Sequence, residues 1–168
     1  MGPTELAARL SRRFTEVLEA RGEVTVTVVP EEMLVALAYL KDEPDLACGF
    51  LSDVTCTDWP GLDPRWWLAY HLVSMEHRHR LRLKAGLAPR PDPPSAPSVT
   101  GLYPTANWLE REVFDFFGVA FEGHPDLRRI IMPDDWEGHP LRKDYELGGV
   151  GTHYKHGAFI PPVDQRSQ

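Results

Sequence analysis

Glu110, Arg111, Glu112 and Asp115 fall within six residues, and four histidines follow them at 124, 139, 153 and 156. Paired carboxylates can serve general acid–base hydrolysis, and imidazoles gathered in one segment can serve a metal centre. No nucleophile accompanies the acids, so hydrolysis by this chain alone is poorly supported. On a helix Arg111 and Asp115 lie four apart and are expected to pair, with Glu112 alongside. That charged face either meets water or meets arginines of another protein, and the dense flanking aromatics, Trp108 among them, favour the second.

Glu-Gly-His-Pro occurs twice, fifteen residues apart, and supplies His124 and His139. A following proline biases each histidine to extended backbone. His153 and His156 are three apart, yet no HExxH or comparable ligand spacing is present. Each Gly-His-Pro is therefore expected to be a turn device whose imidazole bonds backbone or a partner carboxylate. A free-standing histidine metallohydrolase is the alternative of another class. In "HPLRKDY" (139–145), Asp144 weakens the field of Arg142 and Lys143, so polar contact to a partner chain is expected rather than phosphate binding.

The rest of the chain offers little to complete a redox or nucleotide site. There is no CxxC pair and no P-loop, and "GGVG" (148–151) lacks the last glycine and the preceding strand of a dinucleotide fingerprint. Net charge of −7 argues against a generic nucleic-acid binder. Arginine outnumbers lysine fourteen to four, which suits protein contacts because guanidinium forks onto carboxylates. No apolar run reaches the length of a bilayer span, and "MGPTELAARLSRRF" has neither a signal-peptide core nor a myristoylation signal. The expectation is a cytoplasmic chain that reaches a membrane only through a partner. Cys48 and Cys56 are expected to be buried thiols, too far apart along one extended segment to join.

The elements that must position these residues can be read from periodicity. A stripe of Leu6, Leu10, Phe14, Val17 and Leu18 predicts a helix over 4–21, capped by Thr4 and stopped by Gly22. "EVTVTVV" (23–29) alternates as a strand, and Pro30 with two glutamates opens a second helix ending near Lys41. Residues 45–59 and 64–74 read as inner strands, with Trp66 and Trp67 in sheet core. Residues 77–84 alternate Arg or Lys with packed residues and close a hairpin. Five prolines in 88–98 predict an extended connector outside any central strand. Trp108, Leu109, Val113, Phe116 and Phe117 recur at helical spacing over 105–118, with Thr105 a candidate cap and Gly118 the stop. Beyond it the periodicity ends, although aromatics persist, which suits a segment wrapping over another polypeptide.

The expected fold is α+β, a small mixed sheet with helices on one face, then an amphipathic helix and an extended C-terminal docking arm. Its parts are the sheet domain at 1–87, the connector at 88–98, the helix region at 99–118 and the arm at 119–168.

"EREVFDFFGVAFEGHPDLRRII" (110–131) resembles the hallmark of the 30 kDa family, the C subunit of NADH-quinone oxidoreductase (respiratory complex I). The matching positions are Glu110, Arg111, Glu112, Asp115, Phe116, Phe117, His124, Arg128, Ile130 and Ile131. "SVTGLYPTANWLERE" before it and "GHPLRKDY" after it are similar to the family as well. Many members continue further than the 23 residues that follow Tyr145 here. The resemblance implies a non-catalytic peripheral-arm subunit on the cytoplasmic side of the cell membrane, holding no cofactor itself. FMN and iron–sulfur clusters would sit in partner subunits, with NADH and quinone bound by the complex. The partners it implies are chiefly the D subunit and also the B and I subunits. It further implies partner contacts at Trp108, Glu110, Arg111, Glu112, Asp115, His124, Arg128, Arg129, His139, Arg142, Lys143 and Asp144. A membrane-bound hydrogenase, or a ferredoxin- or F420-linked complex, would share the signature. An unrelated assembly using the chain as a bare interaction module is a further rival.

Overall fold

The computed structural model describes residues 1–88 and 92–145, with the backbone of one further two-strand pair, 153–154 against 157–158. Helix α1 (Pro3–Leu10) begins with proline in its first turn, where a missing amide hydrogen costs nothing, and buries Leu6 and Leu10. The helix expected to run on to residue 21 ends there. Glu16–Ala20 instead forms strand β1, antiparallel to β2 (Glu23–Val28). Arg21 and Gly22 both take positive φ, 56° and 78°, which makes a two-residue hairpin turn whose twist matches the flanking strands. Phe14 and Val17 still pack on the core, Phe14 from the turn before β1 and Val17 from the strand itself.

Pro30–Glu32 forms one 3-10 turn leading into α2 (Met33–Asp42), which buries Met33, Ala36, Leu37 and Leu40. Three long strands follow, β3 (Phe50–Asp58), β4 (Trp66–Ser74) and β5 (His79–Leu87), paired as antiparallel neighbours. β5 returns beside β2 in parallel, giving the order β1-β2-β5-β4-β3. The sheet is therefore mixed. β3 is an edge strand, not the inner strand its apolar sequence suggested, while β4 and β5 are inner.

Inward positions alternate as the pleat requires: Val24 and Val26 on β2, Leu68, Tyr70 and Leu72 on β4, Leu81, Leu83 and Ala85 on β5. All three helices pack on that one face. Cys48 precedes β3 and Cys56 lies on it; both are buried and unpaired, and burial pushes both thiols up to about 12. Trp66 is core, but its neighbour Trp67 points to the opposite face beneath Lys84.

The connector enters as a short strand, β6 (Ser95–Pro97), outside the main sheet and parallel to β7 (Ala120–Glu122). Between them runs α3 (Ala106–Phe117), closed by Gly118 at φ 75°. Thr105 makes no capping bond; its backbone is already helical. From 119 to 145 the chain carries only β7 and turns, and this stretch is the described part of the arm.

Candidate functional site

The buried face of α3 carries charge. Glu110 and Asp115 are fully enclosed and Arg111 nearly so, while Trp108 on the outer side is 60 % exposed. Such burial is tolerable only if every polar atom finds a partner. The expected Arg111–Asp115 pair does not form, because each has a better-placed target on the same chain.

Asp115 organises the first turn of the arm. Its Oδ1 accepts from Arg129 Nη1 at 2.6 Å, and its Oδ2 accepts from the amides of Ile130, Ile131 and Met132 at 2.8–3.0 Å. Burial alone would raise its pKa. The Met132 amide, Arg129 and the other two amides outweigh that and hold it below the usual carboxylate range. Arg129 also donates to the carbonyls of Trp136 and Gly138, so one guanidinium pins two parts of the arm. Arg111 donates to the carbonyls of Arg128 and Arg129 and lies over the Trp108 ring, 5.2 Å from its centroid.

Glu110 faces the other way. Its two oxygens accept from the Val99 amide and the Ser98 hydroxyl, both at 2.7 Å, which ties α3 to the connector. Burial raises its pKa, and these bonds with His124 nearby offset the rise only in part.

The two Gly-His-Pro sequences clamp opposite ends of this helix. Gly123 and Gly138 take φ 81° and 78°, turning each histidine back toward α3. The Asp126 amide donates to His124 Nδ1, which leaves the ring proton on Nε2 to be donated to the Asn107 carbonyl at 3.0 Å. His139 Nδ1 bonds the Asp115 carbonyl at 2.9 Å, and its ring meets Phe114 edge-on. Burial lowers its pKa. Gly118 has no room for a side chain, since a Cβ there would sit 2.6 Å from the His139 ring.

A second cluster latches the far end of the arm. Asp58, buried at the end of β3, accepts two bonds from Arg65 at 2.6 and 2.7 Å and one from the Lys143 amide at 2.7 Å. Burial pushes the Asp58 carboxyl up, but Arg65, the Lys143 amide and Arg142 together hold it below its ordinary value. Arg65 also pairs with Asp144 at 3.0 Å, and Arg142 reaches Asp92 at 2.8 Å. Both guanidiniums lie over Trp66, at 4.3 and 4.8 Å. Sequence reasoning missed Asp58 and Arg65. The available signal was an acid in the inward set Val54, Cys56, Asp58, which demands a buried partner.

The twelve singled-out residues thus divide. Glu110, Arg111, Asp115, His124, Arg129, His139 and Arg142 direct their polar atoms into their own chain. Arg128 pairs with its neighbour Asp126 at 2.9 Å, and Asp144 with Arg65. Trp108, Glu112, Arg128, Lys143 and Asp144 remain exposed. The arm through residue 145 wraps α3 of its own chain; 146–152, the side chain of His153, 155–156 and 159–168 lie outside the described residues. Among the described residues no three His, Cys, Asp or Glu side chains gather as metal ligands, and no helix is long and apolar enough to cross a membrane.

What the fold and this site define is an α+β domain whose buried ions hold a backbone arm against a helix, with Trp108, Ile130 and Ile131 left exposed on its outer side. Similarity to known proteins narrows this. Residues 26–150 match the model of the respiratory-chain NADH dehydrogenase 30 Kd subunit, and the chain belongs to that family. The NADH-quinone oxidoreductase C subunit of Salinispora arenicola is 49 % identical over 152 residues, covering 90 % of this chain and 61 % of that protein. The C subunit of Roseiflexus castenholzii is 48 % identical over 150 residues, covering 87 % of this chain and 84 % of its own length. The chain thus spans about three fifths of the Salinispora relative. Among solved structures, a trypsin-resistant fragment of Nqo5 is 29 % identical with a TM-score of 0.62, covering 74 % of this chain and 97 % of the fragment. A chain of the membrane-bound sulfane sulfur reductase, an archaeal respiratory membrane complex, is 28 % identical with a TM-score of 0.73, covering 86 % and 85 %.

Proposed function

We propose that this chain is a non-catalytic scaffold subunit in the peripheral arm of an NADH-quinone oxidoreductase, where it supports electron transfer from NADH to quinone coupled to proton translocation. In this reading it holds no cofactor; FMN and iron–sulfur clusters belong to partner subunits. It packs beside the D subunit, with the B and I subunits nearby, at the cytoplasmic face of the cell membrane, and meets the bilayer only through the complex.

One observation carries the reading. Every buried ion on α3 ends on the chain's own backbone or side chains, whereas Trp108, Ile130 and Ile131 stand 60, 37 and 55 % exposed around Arg111. Aromatic and aliphatic side chains held on a rigid, internally satisfied platform are what a protein partner buries. Family membership and the relatives from NADH-quinone oxidoreductases supply the kind of assembly.

Co-purification tests it. A tagged chain expressed at native level should bring down NADH-binding and quinone-site subunits, and deleting its gene should abolish both the assembled complex and membrane NADH–quinone activity. Assembly that is normal without the chain would overturn the reading. The likeness to the sulfane sulfur reductase chain favours one second reading, a related respiratory complex with another electron donor. Recovery of the tagged chain with subunits lacking an NADH-binding partner would select it.

A further inference from the structure

Helix α2 has no wet side. Every residue from Met33 to Leu40 is apolar or aromatic, and its two charges, Lys41 and Asp42, come only in the last turn. A helix that is apolar all round is normally covered all round. Only one side of α2 is covered. Successive residues turn about 100°, so with Met33, Ala36, Leu37 and Leu40 buried, Leu34, Val35, Ala38 and Asp42 face away from the core. Leu34 is 37 % exposed, Val35 61 %, and Val29, just before the helix, 53 %. Helix α1, tied to α2 through Arg9 and Glu43, turns Thr4 and Glu5 outward instead.

Acids close both ends of this apolar strip. Glu31 and Glu32 precede it and Asp42 ends it, all three exposed. Among the described residues no cation lies within ion-pair distance of any of them. The cations on the packed elements are engaged elsewhere. Arg9 pairs with Glu43 at 2.8 Å and Asp45 at 3.8 Å, and Lys41 donates to the Leu102 carbonyl at 2.7 Å. Arg12 and Arg13 lie in the turn after α1, with the Arg13 guanidinium 5.8 Å from the centre of the Tyr39 ring. Three unmatched carboxylates therefore frame an apolar centre. Glu31 and Asp42, eleven positions apart, are separated by about 17 Å along the axis.

We propose that the outer face of α2 is a second docking surface, which takes one helix of a partner polypeptide whose apolar stripe runs between two basic ends. Positions i and i+11 of a helix lie about three turns and 16 Å apart on one face. Cations at those positions meet Glu31 and Asp42, while aliphatic side chains between them cover Leu34, Val35 and Ala38. Glu32 adds to the attraction at one end. A second copy of the chain would bring the same acids and the same net charge of −7, so it is repelled. An anionic bilayer surface is repelled for the same reason. None of these residues belongs to the exposed group around Trp108, so this surface does not depend on the functional reading above.

The test places an apolar photo-crosslinking amino acid at Leu34 in the full chain, expressed in cells. Expected is an adduct to one other polypeptide, mapped to a segment with aliphatic residues between Lys or Arg. Its yield should fall at least fivefold in the double variant Glu31→Lys, Asp42→Lys and persist in Glu31→Asp, Asp42→Glu. The reversal removes a favourable charge at the helix start and adds one at its end, so the melting temperature should hold. Val35→Ser, an exposed change between residues of similar helix propensity, should likewise lower the yield several-fold without unfolding the chain. No adduct, an adduct to lipid, to a second copy or to an acidic segment, or a yield indifferent to the charge reversal would overturn the proposal. Capture of a basic-ended apolar helix from a protein outside any NADH-quinone-type complex would uphold this surface and count against the scaffold reading instead.

Discussion

Asp115 accepts four hydrogen bonds through one carboxylate, three of them from consecutive backbone amides. Substituting Asn removes the charge that Arg129 faces and turns a donor toward groups that only donate. Breaking a buried charge pair from one side costs about 3–5 kcal/mol. Asp115→Asn is expected to lower the melting temperature by on the order of 10 °C, and to open the arm to trypsin at Arg129, which Asp115 otherwise holds. Glu110→Gln should be mild by comparison, about 1 kcal/mol. The reason is that burial already disfavours the Glu110 ion, and a neutral amide can keep one acceptor for Val99. Equal losses in the two variants, read by thermal melts, would contradict this division. Glycine positions separate in the same way. Gly118→Ala forces a Cβ into the His139 ring at a left-handed backbone, whereas Gly123→Ala meets open space and suffers only the backbone strain. Urea unfolding should show the first to be worse by about 1–3 kcal/mol.

At the scale of elements, the arm and α3 form one unit held at Asp115 and Asp58. Both carboxyls titrate below their ordinary values, so their stabilising contribution is fully present above about pH 5 and is lost as pH falls through 4 and below. Glu110 works in the opposite sense, since its raised value favours the fold most where it is protonated, but it ties the connector and not the arm. Acidification is therefore expected to release residues 128–145 before the sheet opens. Hydrogen exchange followed down a pH series below the ordinary carboxylate range should show the Ile130, Ile131, Met132 and Lys143 amides losing protection before β4 and β5 do. Simultaneous loss in arm and sheet would show that the arm is no separate unit. The periodicity of α3, its stop at Gly118 and the alternation of β5 were legible because each is a local pattern. The direction of its charges was not. Spacing can show that Arg111 reaches Asp115, but only the returning arm supplies the carbonyls and amides that win both. The first helix failed for a related reason: Phe14, Val17 and Leu18 have helical spacing, yet two left-handed residues at 21 and 22 decided for a hairpin, which keeps Val17 on the core and leaves Leu18 exposed.

For the whole molecule, the buried ions of α3 are bonded within the chain while Trp108 is left exposed, so folding and a partner contact at Trp108 can be tested apart. Trp108→Ala removes a mostly exposed ring and should change stability by no more than about 0.5 kcal/mol. If the ring anchors a partner, its truncation costs about 2 kcal/mol or more of binding. Blue-native gels should then show a several-fold loss of assembled complex at an unchanged melting temperature; an intact complex would move the interface elsewhere. The sequence by itself determined the α+β class, the one-faced sheet, the amphipathic helix and the family, because hydrophobic period and signature spacing are local properties of a chain. Tertiary structure alone decided what the charged signature touches. A buried carboxylate takes whichever donors enclose it, and those donors lie fourteen to seventeen residues away on a segment with no period to betray its path.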